Sequence, residues 1–398
     1  MVAFFSTPFS RFLVLYGALY AGFGVQSPYL PSLLESRNLA PEAIATVLAA
    51  GTGIRLVAGP AAGRLADRLD APKAVFSVCA VAAALIALGY LPAQGLSLLL
   101  LVGILQSAAL APLAPLSDTL ALGTAAPVRS GTPASRGWHY GWIRGAGSAA
   151  FIIGSVSSGA AIGRFGVPVV VWLNAVLLGA TVFAARGVPV LLPRRHPVAP
   201  TLTLKANARG LGTLLRLPLY RRIVVVAALI LGSHAMHDSF AVIRWEAAGI
   251  SPASAGLLWS LSVAGEVVVF LIIGRPLLSR LGPAGAAMLA AAAGIVRWVT
   301  MAQTTSIVAL AAVEPLHGLT FALLHLTCMR LLAECVPDHL SATALTLYGT
   351  VGIGVPTALL TLASGPLYAH FGAHGFWAMA AICAAALPIA RTLRDPAD

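Results

Sequence analysis

A chain of 398 residues in which 59% are hydrophobic and 10% charged, with mean hydropathy +0.89, is excluded from the ordinary soluble class, where roughly a quarter of residues are charged. A membrane-spanning helix needs roughly 20 apolar residues to cross about 30 Å of hydrocarbon, so this length holds about twelve spans, short connections and no sizeable soluble domain. The formal charge of +12 does not point to nucleic acid, because the basic residues sit between apolar runs instead of forming a phosphate-facing surface. It follows from the retention of Lys and Arg on the cytoplasmic side of membrane proteins.

Arg11 precedes a long apolar stretch that carries Tyr16, Tyr20 and Gln26 and continues past signal-peptide length, so a retained first span is expected. Apolar runs then follow in order, at 9–34, 41–66, 73–91, 96–122, 139–163 and 167–186. After a gap they resume at 221–246, 252–274, 284–302, 305–333, 340–368 and 373–391. The gap carries Arg194, Arg195, His196, Lys205, Arg209 and Arg216 and no acidic residue. The sequence therefore predicts an all-α polytopic protein: an N-terminal six-helix bundle over 1–186, a cytoplasmic basic linker over 187–219 and a C-terminal six-helix bundle over 220–398.

Every second connection is basic: Arg64, Arg68 and Lys73; Arg129 and Arg136; the central linker; Arg275 and Arg280. The opposite connections carry little beyond Arg37 and Arg164. This alternation places both termini in the cytoplasm. Cys79, Cys328, Cys335 and Cys383 lie in or beside apolar runs without Cys-x-x-Cys spacing and read as packing residues. Gly145, Gly147, Ala149 and Gly154, and Gly349, Gly352 and Gly354, have the spacing of close helix contacts. Trp138, Trp142, Trp259 and Trp298 read as interface anchors or packing.

An ionisable side chain inside a span costs several kcal/mol unless paired or hydrated, so each is a functional candidate. They are Arg55 in the second run, Asp118 in the fourth, Arg144 in the fifth, and His234, His237 and Asp238 in the seventh. Glu266 follows in the eighth, Arg297 in the ninth, and Glu314, His317 and His325 in the tenth. By depth, Asp118 and Arg144 are placed to meet across neighbouring helices. Arg297 and Glu314 are offset by about 7 Å at 1.5 Å rise per residue, a gap that a long Arg side chain closes. Glu314 and His317, three apart, share a helix face. Glu266 stands alone in a Val-rich run. It either loads and releases a proton or is a permanently bonded carboxyl that fixes packing. Arg55, Arg144 and Arg297 either recognise an anionic group, for which guanidinium offers a two-pronged fork, or neutralise the buried acids.

The segment from Gly63 to Lys73 resembles the signature between the second and third spans of the major facilitator superfamily, and the resemblance implies gating by Asp67 and Arg68. Further motifs resemble the phenylpropionate-permease and lactose-permease branch. They are Pro115-Leu116-Ser117-Asp118, Tyr140-Gly141-Trp142-Ile143-Arg144-Gly145, Gly232-Ser233-His234-Ala235, Leu258-Trp259-Ser260-Leu261 with Glu266, Arg297-Trp298, and Leu316-His317-Gly318 with His325 and Arg330. The resemblance implies substrate contact for Asp118 and Arg144, and proton coupling for Glu266, Arg297, His317 and Glu314. In the tenth run Glu precedes His, the reverse of the lactose-permease order.

From these readings the expectation is a proton-coupled symporter, not an enzyme, that moves a small organic solute by alternating access across a bacterial cytoplasmic membrane. Its solute is expected to be an aromatic or other carboxylate, with a sugar or nucleoside symporter and a proton-driven exporter as the alternatives. Arg55, His234 and His325 join Asp118 and Arg144 as expected substrate contacts. The proton is the coupling ion, and no cofactor, metal or nucleic acid is expected. The partners are the small-molecule substrate and the lipid bilayer, and the expected state is a monomer.

Overall fold

The computed structural model describes residues 7–125, 140–189 and 212–394. Among the described residues every regular element is helical. Most of the basic linker, at 190–211, lies outside the described residues, and so do Arg129, Arg136 and Trp138.

Among the described residues, eight helical runs are long and apolar enough to cross a membrane, and two of them, Pro252–Gln303 and Ser341–Ala390, are 52 and 50 residues long. Each of those two exceeds twice the roughly 20 residues that one crossing needs. Each also breaks where a glycine of positive φ ends helical geometry, Gly282 (φ 65°) in one and Gly372 (φ 52°) in the other. Counting both as pairs and adding Pro8–Gln26 and Pro72–Leu88 gives twelve spans, numbered first to twelfth below. They form the two six-helix bundles of a multi-pass membrane protein.

The segment Gly274 to Gly282, expected as a connection, is helical up to Gly282. Leu277, Leu278 and Leu281 keep helical spacing, and the reversal is made by Gly282 with Pro283, which has no N–H to continue the ladder. Asp67 and Arg68, expected in a loop, form the last turn of the second span, Pro41–Leu69. The chain turns at Asp70, whose φ is 52°.

The two halves use arginine in the same way. At the start of the first span, Arg11 Nη1 donates to the Gly187 carbonyl at the end of the sixth (3.0 Å). Arg222, at the start of the seventh, donates to the Thr392 carbonyl just beyond the twelfth (3.3 Å). Past the first span, Arg37 Nη2 donates to the Tyr90 and Leu91 carbonyls that close the third (3.2 and 3.0 Å). Arg244, near the end of the seventh, donates to the Thr304 carbonyl that closes the ninth (3.3 Å). Carbonyls in the last turn of a helix have no partner within it, so a cation there satisfies them and complements the helix dipole. Some of the basic punctuation between apolar runs is therefore capping as well as topology.

Contacts divide the chain into two compact units. One comprises Met1–Asn38, Ala50–Pro197 and Ser251–Leu257; the other comprises Leu39–Ala49, Val198–Ile250 and Leu258–Asp398. In the first unit, a Cβ at Gly24 would strike the Phe151 carbonyl and one at Gly154 the Ala21 carbonyl, so glycine lets the first and fifth spans touch backbone to backbone. Gly145 and Gly349, expected as packing glycines, have no neighbour within 4 Å of such a Cβ.

Candidate functional site

Polar chemistry in the second unit converges where its helices are least regular. The seventh span breaks between Pro218–Gly232 and Ala235–Ala247, which sets His234 at the joint. The tenth span passes from Ile307–Val313 into a 3-10 turn, Glu314–Leu316, and then a π-helical stretch, Gly318–Leu323. Pro315 supplies the cause, since it lacks an N–H and its ring crowds the preceding turn. The eighth span turns π-helical at Val269–Ile273, just after Glu266. Wide turns of this kind are rare overall and are frequent at functional sites. A Cβ on Gly265 would strike the Pro315 carbonyl, and one on Gly318 the Gly265 carbonyl. Two glycines thus bring the eighth and tenth spans into contact and set Glu266 beside His317.

Arg297 and Glu314 meet there as a fully buried pair, with Arg297 Nη2 3.0 Å from Glu314 Oε2 and both side chains 0% exposed. The axial offset read from the sequence is closed by the Arg side chain. Ser262 donates a hydrogen bond to the same carboxylate oxygen. The other oxygen, Oε1, faces His237 Nε2 at 3.2 Å, and His237 Nδ1 faces Asp238 Oδ1 at 3.1 Å. On the far side of Arg297, its Nη1 lies 3.3 Å from His317 Nδ1. Guanidinium can only donate, so Nδ1 accepts and the His317 proton sits on Nε2. That nitrogen points toward Glu266 Oε2, 3.7 Å away. Thr320 donates to the His317 carbonyl (3.1 Å), which leaves its oxygen to accept from His234 Nε2 (2.9 Å) and Arg297 Nη1 (3.4 Å).

Glu266, Arg297, Glu314, His317 and His234 therefore lie in one network. His237, already a candidate as an ionisable group inside a span, and Ser262, which was not one, also belong to it. His237 carried a usable signal, a titratable side chain beside an acid in an apolar run. Ser262 carried none. His325 stands apart, stacked on Phe321 (6.3 Å, 10°) and edge-on to Phe270 (6.1 Å).

The first unit holds a second cluster. Tyr16 donates to Asp118 Oδ1 at 2.6 Å. The Arg144 guanidinium lies over the Tyr20 ring, 4.7 Å from its centroid, and the two tyrosine rings stack 5.5 Å apart. Asp118 and Arg144 are thus joined through a tyrosine pair on the first span, where the sequence had suggested a direct meeting. Gly147 makes room, since a Cβ there would press on Tyr20 at 3.0 Å. The Arg144 side chain is not enclosed by its neighbours. Nearby, Gln26, Gln106 and Asn174 form a buried amide chain that ends on the Gly22 carbonyl.

Twelve spans with ion-paired groups inside them define a membrane transporter. The chain belongs to the MFS_1 like family, whose model matches residues 9–379. It is 28% identical over 389 residues, 95% of this chain and 96% of the relative, to a probable 3-phenylpropionic acid transporter of Escherichia coli (strain K12). It is 26% identical over 374 residues, 94% of this chain and 91% of the relative, to a maltose permease of Geobacillus stearothermophilus. Among solved structures, the nucleoside transporter NupG matches with TM-score 0.80 at 16% identity, covering 96% of this chain and 97% of that one. A bacterial homolog of the human lysosomal transporter Spinster matches with TM-score 0.72 at 13% identity, covering 98% and 97%. These relatives and neighbours are transporters, and the chain is a major facilitator transporter, not an enzyme.

Proposed function

We propose that this transporter is a proton-coupled symporter of a small organic carboxylate, aromatic or otherwise, working by alternating access in a bacterial cytoplasmic membrane with both termini inside. The observation that carries the reading is the fully buried Arg297 and Glu314 pair, flanked by His237 on one side and by His317 and Glu266 on the other. Removing charges from water costs several kcal/mol per ion, so an apolar core of equal volume is the cheaper way to hold helices together. Groups that exchange protons justify the cost. In this reading Glu266 loads and releases the proton, with Glu314, Arg297 and His317 as its coupling partners. Protonating Glu314 releases Arg297, whose remaining bonds are to His317 and Thr320.

Arg144 and Arg55 supply the cationic forks for the solute carboxylate. Asp118, which accepts from Tyr16, and His234 and His325 are further solute contacts in this reading, and Asp67 with Arg68 acts at the cytoplasmic end. Similarity to a probable 3-phenylpropionic acid transporter supports a carboxylate with an aromatic ring, for which the Tyr16 and Tyr20 pair offers a stacking face. Similarity to a maltose permease supports the second reading, a sugar symporter, in which Asp118 takes hydroxyl hydrogen bonds. The test is uptake of labelled 3-phenylpropionate and maltose by proteoliposomes. Accumulation of 3-phenylpropionate under an inward proton gradient, reduced on the order of 100-fold in Arg144→Ala, is expected of a bidentate charged contact worth about 3 kcal/mol. Accumulation of maltose alone would replace the carboxylate reading with the sugar one.

A further inference from the structure

His237 is 4% exposed, yet both of its ring nitrogens face carboxylates: Nδ1 the 54% exposed Asp238 and Nε2 the 0% exposed Glu314. A neutral imidazole has one N–H and one lone pair, and a carboxylate only accepts. The two hydrogen bonds together therefore need two protons, shared among three groups. They are satisfied by an imidazolium between two carboxylates, or by a neutral imidazole with one carboxyl protonated at either end. These arrangements differ only in where the protons sit.

The position of Asp238 gives this a direction. It lies in the seventh span, nine residues before Ala247, or about 14 Å along the axis at 1.5 Å per residue. An aspartate with half its side chain exposed at that depth is tolerable only where the surface is wetted, because a carboxylate facing hydrocarbon is costly. The surroundings of His237 are otherwise closed. Its ring stacks on Trp259 of the eighth span (4.9 Å, 29°) and lies within 6.0 Å of the Trp245 and Trp298 rings. The charged or titratable groups near it are Asp238 and His234 from its own span, Arg297 from the ninth, and Glu314 and His317 from the tenth. Through them, the chain of contacts from Asp238 to Glu266 is continuous.

We propose that His237 is a proton-transfer residue joining Asp238 to Glu314, so that Asp238 is the wet entrance of a proton path into the buried core. This rests on the proton-coupled reading above and adds a route to it. In the step, the Asp238 O–H bond breaks as an N–H forms at His237 Nδ1, while the Nε2–H breaks and an O–H forms on Glu314 Oε1. Asp238 is left as a carboxylate and Glu314 as a neutral carboxyl. The imidazole ends in the other tautomer, with its proton on Nδ1 facing the Asp238 carboxylate.

The experiment needs no substrate. Full-length protein in lipid nanodiscs is given a rapid drop in pH, and the rise of the protonated-carboxyl stretch of Glu314 is followed by time-resolved infrared spectroscopy, the band being assigned by its loss in Glu314→Gln. His237→Gln keeps hydrogen-bonding capacity without a titrating ring, and it is expected to slow the rise on the order of 100-fold. Asp238→Asn is expected to slow it similarly. Ser279→Ala, which removes an exposed hydroxyl bonded to the Pro276 carbonyl and outside the network, is expected to leave the rate unchanged. A His237→Gln protein whose band rises at the wild-type rate, with only its equilibrium midpoint moved, overturns the proposal and leaves His237 a structural partner. So does a wild-type protein in which no Glu314 band appears. Should His237→Gln fail to fold, an unaltered rate in Asp238→Asn, changed only at the exposed end, overturns it equally. Proton-driven uptake of 3-phenylpropionate that survives in a protein with no relay kinetics sinks the relay alone, whereas relay kinetics without uptake of any solute sinks the transport reading alone.

Discussion

Arg297 is held by several partners at once, and its cost and its worth separate by mutation. Its guanidinium reaches Glu314, Thr320 and His317 and sits 4.6 Å from the Trp298 ring centroid. Removing one member of a buried pair strands the other, at about 3–5 kcal/mol, whereas replacing both with apolar residues is often neutral. Arg297→Met should therefore lower the melting temperature in detergent more than the double variant Arg297→Met/Glu314→Leu does, as followed by tryptophan fluorescence. A double variant as unstable as the single one would mean that His237 and Ser262 do not tolerate loss of the carboxylate. At the other cluster, Tyr16→Phe deletes the hydroxyl that Asp118 accepts from. The expected loss is about 1.5–3 kcal/mol, as for a hydrogen bond to a charged group, read as a shift of the denaturation midpoint. The Arg297 and Glu314 pair was legible in the sequence because helix rise is constant, so depth along a span converts directly to distance. The partnership of His237 was not, because it depends on how the seventh span is rotated toward the tenth. Tyr16 and Tyr20 were hidden for a different reason, since tyrosines in an apolar run give no sign of which acid or base they face.

Helices in this chain are placed by glycine as much as by apolar bulk. At Gly265 and Gly318 the eighth and tenth spans touch backbone to backbone, and any Cβ there must displace a carbonyl. Overpacking of this kind costs about 1–3 kcal/mol. Gly265→Ala should destabilise the protein by that amount and separate Glu266 from His317, while Gly163→Ala, with nothing within 4 Å, should be tolerated; paired melting curves distinguish the two. Most helices were readable from apolar runs bounded by Pro, Gly and basic residues, because hydrophobic length alone decides what crosses a bilayer. The connections at Asp70 and Gly282 were placed but their tightness was not, because the helices before them carry polar residues such as Arg68 and Arg280 through their last turns. Nor were the π-helical stretches near Glu266 and His317, which arise from Pro315 and from tertiary packing, and no periodicity of side chains announces them.

On the scale of the molecule, both halves cap their third and sixth members with arginines drawn from the ends of their first, so Arg11 corresponds to Arg222 and Arg37 to Arg244. These matching arginines were not visible in the sequence as a repeat, because they lie in unlike surroundings. The alternation of basic connections predicts an orientation that is testable once Cys79, Cys328, Cys335 and Cys383, all free, are replaced. Single cysteines at Arg64 and Arg275 should react with a membrane-impermeant thiol reagent only in inside-out vesicles, and one at Gly166 only in right-side-out vesicles; the opposite pattern would invert the topology. The account as a whole turns on whether carboxyls inside the second unit tie solute movement to proton movement. The most direct measurement is labelled 3-phenylpropionate flux in proteoliposomes of wild type and Glu266→Gln, with and without an imposed proton gradient. Wild type should concentrate the solute only when the gradient is inward, and Glu266→Gln should exchange it across the membrane without concentrating it. Uphill accumulation that persists in Glu266→Gln, or that proceeds in wild type without any gradient, would contradict the account.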